Sequence, residues 1–168
     1  MAELSLTEHA VLGVLAEGPT HGFAIARELD GGADLGRVFT VRRPLVYRAL
    51  DRLVEADLAE TLHVEAGDAG PNRVVHSVTR RGTTLVRRWL DEPVAHVRDL
   101  RLELMLKLAL LARSGRSAGD LVRRQRESLQ PTLAALEAAA SEDPVEMWRR
   151  HNARAADAYL AELADMYR

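Results

Sequence analysis

The chain has 168 residues, enough for one complete hydrophobic core or for a small domain with an extended appendage. Hydrophobic residues make up 47% and charged residues 29%, which excludes a disordered chain, and few aromatics beside abundant Ala and Leu favour a mostly helical one. The net charge of −2 and the lack of cysteine exclude a global basic field, disulfides and thiolate metal sites, so any nucleic-acid contact must come from a local patch.

The N-terminus and the longest apolar stretch both argue against a secreted or membrane protein. The opening residues, MAELSLTEHA, lack the basic start and apolar core of a signal peptide. The apolar stretch over residues 100–112 is too short to span a bilayer, and Arg101, Glu103 and Lys107 interrupt it. We therefore expect a cytoplasmic protein without membrane contact.

Two short helices are predicted at the start of the chain. Ser5 and Glu8 form a capping box, S-x-x-E, which indicates a helix that the following Gly-Pro turn ends. Thr20 can cap a second helix, which the Gly-Gly pair at residues 31–32 ends. A polar loop then leads into a third helix over residues 40–58.

The third helix is amphipathic and basic at its start. Pro44 suits its first turn because the N–H that proline lacks would have no partner there. Arginines fall on one side of a 3.6-residue wheel and apolar residues on the other. Recognition helices of helix-turn-helix proteins have this design, although an ordinary surface helix with solvated arginines is the alternative. The apolar side comprises Val46, Ala49, Leu50 and Leu53.

The hydrophobic period changes after the third helix. Residues 59–65 and 73–79 are rich in β-branched side chains and alternate loosely, and the segment between them contains the Gly, Asp, Pro and Asn of a turn. They predict a β-hairpin, and three helices followed by a hairpin are the order of a winged helix, in which the hairpin is the wing. Thr79 can cap a fourth helix, in which Gly82 permits close packing.

The rest of the chain is predicted to be helical, beyond a boundary at Asp91-Glu92-Pro93. Helices are expected over residues 100–112, over residues 121–140 with a kink at Pro131, and over residues 145–167. The last helix carries a stripe of side chains at spacings of three and four. Such a stripe requires a partner surface, which is either the rest of the same chain or a second copy. The stripe comprises Trp148, Asn152, Ala155, Tyr159, Leu163 and Met166.

Four stretches, in the right order, resemble the PadR family of bacterial transcriptional regulators in its longer subgroup, which has a helical C-terminal dimerisation region. They are LTEHAVLGVLAEGPTHGFAIARELD, residues 44–58 with Tyr47 at the family's tyrosine, GPNRVVHSVTRRG, and VRDLRLELMLKLALL. The resemblance implies a mainly α fold with a small β-hairpin. A winged helix-turn-helix DNA-binding domain, residues 1–91, would precede a helical dimerisation domain, residues 92–168. It also implies a homodimeric repressor that binds a double-stranded DNA operator until a small molecule or stress signal releases it.

The chain departs from the family pattern at two positions. Asp57 stands where a glycine usually follows helix three, which implies some strain at the end of that helix. His76, three residues before Thr79, stands where the wing usually has an aromatic residue, so a tyrosine contact from the wing is not expected.

The DNA contacts are expected on the third helix and the wing. The segment from Arg37 to Arg52 holds five arginines and one aspartate, and this local charge of +4 can neutralise phosphates although the chain is acidic. Tyr47 is expected to donate its hydroxyl to a phosphate, and the wing tip to reach the backbone or minor groove. The predicted DNA-binding residues are Thr40, Arg42, Arg43, Pro44, Tyr47, Arg48, Arg52, Asn72 and Arg73.

Dimerisation and effector binding are expected in the second half of the chain. A small apolar or aromatic effector is predicted to bind where the DNA-binding domain meets the dimerisation helices, because occupancy there can change the spacing of the recognition helices. Core packing is the alternative role for both tryptophans. The predicted dimerisation residues are Leu104, Leu108, Trp148, Asn152, Ala155, Tyr159, Leu163 and Met166, and the possible ligand-binding residues are Trp89, His96, Trp148 and Asn152.

No motif of an enzyme or a metal site is found in the sequence. The six histidines lack H-x-x-x-H and H-E-x-x-H spacing, and there is no Gly-rich phosphate loop or G-x-S-x-G. We therefore expect neither catalysis nor a cofactor. A helical adaptor that binds proteins rather than DNA is the second hypothesis, and an open, Arg-rich face on the third helix would argue against it.

Overall fold

The structure, a computed structural model, describes residues 4–66, 72–139 and 141–167. The chain divides into two compact units, Met1–Leu90 and Asp91–Arg168. The elements of the first unit are α1 (Leu6–Leu15), β1 (Thr20–His21), α2 (Gly22–Glu28), α3 (Arg43–Glu55), β2 (Ala59–Glu65), β3 (Arg73–Val78) and α4 (Arg80–Asp91). Those of the second are a 3-10 turn (Val97–Asp99), a π-helical turn (Leu100–Leu104), α5 (Met105–Arg113), α6 (Gly119–Ala138) and α7 (Pro144–Met166). The chain is mainly helical with a small sheet, as the sequence predicts.

Helix α1 begins with the predicted capping box, which is confirmed. The Ser5 hydroxyl accepts the Glu8 N–H at 3.3 Å, and Glu8 Oε2 accepts the Ser5 N–H at 2.6 Å. Two of the donors that a helix start leaves free are thereby satisfied. Leu12 and Leu15 of the same helix are completely buried and contribute to the core of the first unit.

The start of α2 differs from the prediction. Thr20 does not cap the helix, because it lies in the short strand β1. The cap is His21, whose Nδ1 accepts the Ala24 N–H at 3.0 Å. A two-residue strand has too few positions to show an alternating pattern, so the sequence predicts only the helix that follows it.

Helix α3 is shorter than the predicted span of 40–58, but its two faces are as expected. Arg42 is the N-cap and Pro44 is the second helical residue. The apolar face is buried against α1 and α2, so the helix presents its opposite face to solvent. The buried residues of that apolar face are Val46, Ala49, Leu50 and Leu53, as the wheel predicts.

The sheet has three antiparallel strands in the order β1-β3-β2. The predicted hairpin strands are confirmed as β2 and β3, with a register irregularity between Thr61 and His63. Strand β1 adds a third member that the sequence does not reveal, pairing Thr20 with His76. The predicted turn of the hairpin, residues 66–72, falls mostly outside the described residues.

The end of α3 and the start of α4 meet at one tight junction. Asp57 has a φ of +57°, and the Leu58 N–H donates to the Leu53 carbonyl at 2.9 Å, which closes a Schellman motif. The Thr79 hydroxyl accepts the Gly82 N–H at 3.0 Å and so caps α4 as predicted. A Cβ on Gly82 would lie 2.0 Å from the Leu58 carbonyl oxygen, so only glycine fits there.

The second unit begins with irregular helix rather than the single helix predicted over residues 100–112. The chain forms a π-helical turn at Leu100–Leu104 and becomes regular only at Met105. Lys107, the only lysine of the chain, has a side chain that is 1% exposed. Its Nζ donates to the Glu92 carbonyl at 2.7 Å and pairs with Glu103 at 2.9 Å, so the buried cation is satisfied by two oxygens.

Helices α6 and α7 pack against each other along their lengths. Arg126 of α6 pairs with Asp157 of α7 at 3.0 Å, and Glu137 pairs with Arg154 nearer the connecting turn. Helix α6 continues through Pro131, and the predicted kink there stays a prediction. Among the described residues, no helix combines the length and apolarity needed to cross a bilayer.

The junction at Asp57 yields a stability prediction. Asp57→Gly should raise the free energy of unfolding by about 0.5–1 kcal/mol, because glycine adopts positive φ without steric cost. Ala56→Gly is the matched control. Ala56 has a φ of −84°, so glycine there should lower stability by roughly 0.5–1 kcal/mol. Urea denaturation measures both changes, and equal midpoints for the two variants would contradict the account.

Candidate nucleic-acid interface

The solvent face of α3 carries the cationic residues that the sequence singles out. Arg42, Arg43, Arg48 and Arg52 are all exposed, as are Pro44 and Tyr47. No carboxylate of the described residues forms an ion pair with Arg42, Arg43 or Arg48. These three guanidinium groups therefore remain open to an external anion.

Arg43 is held in place by aromatic rings. Its Cζ lies 4.9 Å from the Phe23 ring centroid and 5.7 Å from that of Tyr47. Both distances are within the range of a cation–π contact. The pair of rings limits the rotamers of Arg43 before any ligand binds. Phe23 was not among the predicted site residues, because nothing local in the sequence indicates that it meets residue 43.

Tyr47 packs against the first residue of α2. A Cβ on Gly22 would lie 2.8 Å from Tyr47 Cε1, so the absence of a side chain at Gly22 makes room for the ring. Tyr47 nevertheless stays 40% exposed, with Arg43 Nη2 3.5 Å from its hydroxyl oxygen. Tyr47 therefore packs against α2 and is also partly exposed, so a phosphate can reach it.

Arg52 has an intramolecular partner. Its Nη1 lies 3.2 Å from Glu8 Oε1, and this ion pair joins α1 to α3. Burial raises the pKa of Glu8, but the hydrogen bonds from Ser5 and the charge of Arg52 outweigh burial and leave that pKa below its usual value. Glu8 thus stays ionised and offsets the charge of Arg52. Arg37 is offset similarly by Asp34 at 3.2 Å, so the local charge available to a ligand is smaller than the sequence suggests.

The wing and α3 border a groove of about 540 Å³. Four predicted residues line it together: Arg43, Tyr47, Asn72 and Arg73. His76 also lines it, and burial lowers the pKa of that histidine while the charge of Asp51 opposes the shift. Thr40 is not among the residues that line this groove, and its hydroxyl donates to the Gly36 carbonyl at 2.8 Å in the loop before α3.

The sequence of this unit matches a known family. Residues 11–88 match the model of the transcriptional regulator PadR-like family. Over these residues, just under half of the chain, the sequence is similar to that family. The matched span begins within α1, covers α2, α3 and both strands of the wing, and ends within α4, so it contains every described residue that lines the groove.

Among the solved structures compared, one with a TM-score above 0.5 has a similar fold. Bacillus subtilis PadR in complex with operator DNA is 18% identical, with a TM-score of 0.52, over 98% of this chain and 100% of that one. Bacillus subtilis PadR in complex with p-coumaric acid is 18% identical, with a TM-score of 0.47, over 97% and 99% of the two chains. The protein smu.1604c from Streptococcus mutans UA159 is 14% identical, with a TM-score of 0.46, over 95% and 96%. No curated protein matches the chain significantly.

The predicted dimerisation stripe of α7 is largely exposed in the second unit. Trp148 is 69% exposed, Met166 67% and Tyr159 41%, while α7 buries Ala153 and Leu160 instead. The exposed stripe and the packed face are thus different sides of one helix. Ala155 is exposed as well, whereas Asn152, Leu163 and Leu108 are half-buried.

Leu104 is a correction to the predicted interface. Its side chain has no exposed surface in the folded chain, so it has no area with which to contact a second copy directly. The sequence pattern misleads here because residues 100–112 are apolar on nearly every side, and the wheel cannot tell which side the chain itself covers.

The predicted ligand-binding residues do not form a single set. His96, Trp148 and Asn152 line one cavity of about 520 Å³ in the second unit. Trp89 does not line that cavity. It is a buried residue of the first unit, 7% exposed, and its ring stacks on His9 with centroids 4.4 Å apart. The role of Trp89 is therefore explained by packing in the core of the first unit.

Proposed function

We propose that the protein is a sequence-specific DNA-binding transcriptional regulator, and that it acts as a homodimeric repressor released by a small molecule. The observation that carries the DNA-binding proposal is the open cationic face of α3 beside the wing. Arg42, Arg43 and Arg48 have no carboxylate partner among the described residues. An α-helix fits the major groove of B-DNA, and guanidinium groups suit both phosphate oxygens and guanine edges.

The surroundings of that face support DNA rather than a protein partner. Arg43 is already ordered by Phe23 and Tyr47, so it loses little rotamer freedom on binding. Bacillus subtilis PadR, whose fold is similar, was solved with its operator DNA. An adaptor that binds proteins would have no need for three solvated guanidinium groups on this face.

Charge removal on α3 tests the DNA contact. Arg48→Ala or Arg42→Ala should weaken operator binding by about 1–3 kcal/mol if the side chain reads a base edge. If it contacts a phosphate, the loss should be the same for every sequence and the salt slope should fall by about one. Fluorescence anisotropy with the DNA upstream of the gene measures both quantities.

The matched control for charge is Arg123→Ala, which removes one arginine from α6, where it pairs with Asp120 and Glu127. This variant should bind as the wild type does. Unchanged affinity in the Arg42/Arg43/Arg48 triple alanine variant would contradict the DNA-binding proposal, and a wild type that binds no duplex would favour the adaptor.

The homodimer is proposed on the exposed stripe of α7. Trp148 and Met166 are two of the largest apolar side chains, and each exposes about two thirds of its surface. Solvated apolar area of this kind is stabilised by burial against a complementary surface, and a second copy supplies one by symmetry. Two-fold symmetry in turn predicts a near-palindromic operator, with half-sites about 10 bp or a multiple of that apart.

A bulky cation within the stripe tests the dimer. Ala155→Arg should lower the dimer association constant at least about tenfold, because a long charged side chain would separate two closely packed helices. Ala155 is exposed, so the substitution should leave the fold of the protomer intact. Sedimentation equilibrium measures the effect, with the exposed Ala16→Arg as the control of equal size and charge. A monomeric wild type, or a variant as dimeric as the wild type, would contradict the proposal.

The effector is proposed to bind in the 520 Å³ cavity of the second unit. Trp148 supplies an aromatic surface there, and Arg98, Arg101 and Arg149 also line the cavity beside His96. An indole beside several cationic groups suits an aromatic compound that carries an acidic group. Such a ligand would release DNA only by binding the DNA-free arrangement more tightly than the DNA-bound one.

Tryptophan fluorescence tests the effector site. In Trp89→Phe, Trp148 is the only remaining tryptophan, and its emission should change on titration with p-coumaric acid. Arg98→Ala should weaken that titration about tenfold through loss of a charge-assisted contact. The neutral methyl ester of the compound is the control. If the acid releases DNA while Trp148 does not respond, this cavity is not the effector site.

A further inference from the structure

His21 has a second role that its position as a helix cap does not use. Its Nδ1 accepts the Ala24 N–H at 3.0 Å, so that nitrogen carries no proton. In a neutral imidazole with one nitrogen accepting, the other nitrogen bears the hydrogen. His21 Nε2 is therefore a hydrogen-bond donor, and the cap itself determines the tautomer.

Arg73 Nη1 lies 3.5 Å from His21 Nε2. A guanidinium group has only donors, so the two nitrogens cannot hydrogen-bond to each other. Two donors on neighbouring elements thus lie 3.5 Å apart without a hydrogen bond to each other. His21 and Arg73 both line the 540 Å³ groove between the wing and α3. The carboxylate of Asp51 also lines the groove but forms no ion pair with Arg73.

The backbone brings the two residues close together. His21 is paired with Val75 in the β1–β3 ladder, and Val75 is two residues from Arg73 on the same strand. The ladder therefore places the backbones of His21 and Arg73 close together, at the edge of the groove that also borders α3. Groups that flank a recognition helix contact the DNA backbone, whereas the helix itself contacts base edges.

We propose that His21 and Arg73 together bind one phosphodiester group of the DNA backbone. Its unesterified oxygens only accept hydrogen bonds, and an acceptor is the partner that the two donors need. This inference rests on the proposed DNA-binding function and adds to it His21, the N-cap of α2. Because the phosphodiester carries no base identity, the pair sets register and affinity rather than sequence preference.

The two residues should leave different signatures in a salt titration. Arg73→Gln removes a cation, so the affinity should fall for operator and unrelated duplexes alike, and the salt slope should decrease by about one. His21→Asn removes a neutral donor, so the affinity should fall about tenfold while the salt slope stays unchanged. The Asn oxygen still caps α2, but the shorter side chain does not reach the phosphodiester.

The matched control is His63→Asn on β2, where His63 is exposed and contacts Glu65 outside the groove. Its affinity and salt slope should equal those of the wild type. Circular dichroism checks that His21→Asn folds, and if it does not, histidine-ring NMR of the wild type decides whether His21 contacts the DNA.

Two outcomes separate this inference from the proposal on which it rests. If Arg48→Ala loses affinity while His21→Asn and Arg73→Gln bind as the wild type does, DNA binding stands and the phosphodiester site is wrong. If the wild type binds no duplex, the proposed function itself is wrong. The source of the anion is settled by histidine-ring NMR of the wild type. A shift of the His21 Nε2 resonance on adding duplex, but not on adding equal inorganic phosphate, supports the site, and the reverse pattern overturns it.

Discussion

A ladder of two residue pairs, Thr20 with His76 and His21 with Val75, holds the wing to the start of α2. A hairpin on its own is marginally stable in water, and a third strand adds the backbone hydrogen bonds and side-chain contacts that a wing needs. The ladder also determines where the wing lies relative to α3. Since α2 packs on α3, a wing that pairs with β1 must lie beside α3. The groove between the wing and α3 therefore depends on both the β1–β3 pairing and the α2–α3 packing.

Features that depend on neighbouring residues could be predicted from the sequence, and features that depend on distant ones could not. The capping box at Ser5 and the buried face of α3 follow from residues a few positions apart, and both are confirmed. The ladder of β1, the contact of Phe23 with Arg43 and the pairing of Glu8 with Arg52 join residues from different elements. Local propensity carries no signal for such contacts, so only the folded chain reveals them.

The acidic composition of the chain does not oppose a cationic surface, because many carboxylates are already paired. Glu8 forms an ion pair with Arg52 between α1 and α3, and Asp157 forms one with Arg126 between α6 and α7. These pairs join elements of the same unit, and Asp51 is the one carboxylate among the described residues that line the groove. Net charge is therefore a poor guide to this protein, whereas the local distribution of pairing partners explains which arginines stay open.

The burial of Lys107 affects how the folded chain reacts with reagents and enzymes that modify amines. Lys107 is the only lysine of the sequence and is 1% exposed, so the native protein presents no side-chain amine to acetylating, ubiquitinating or cross-linking reagents. Covalent control through lysine is consequently closed to this protein while the second unit stays folded. The same residue becomes the one lysine open to labelling when that unit unfolds, because unfolding exposes its side-chain amine.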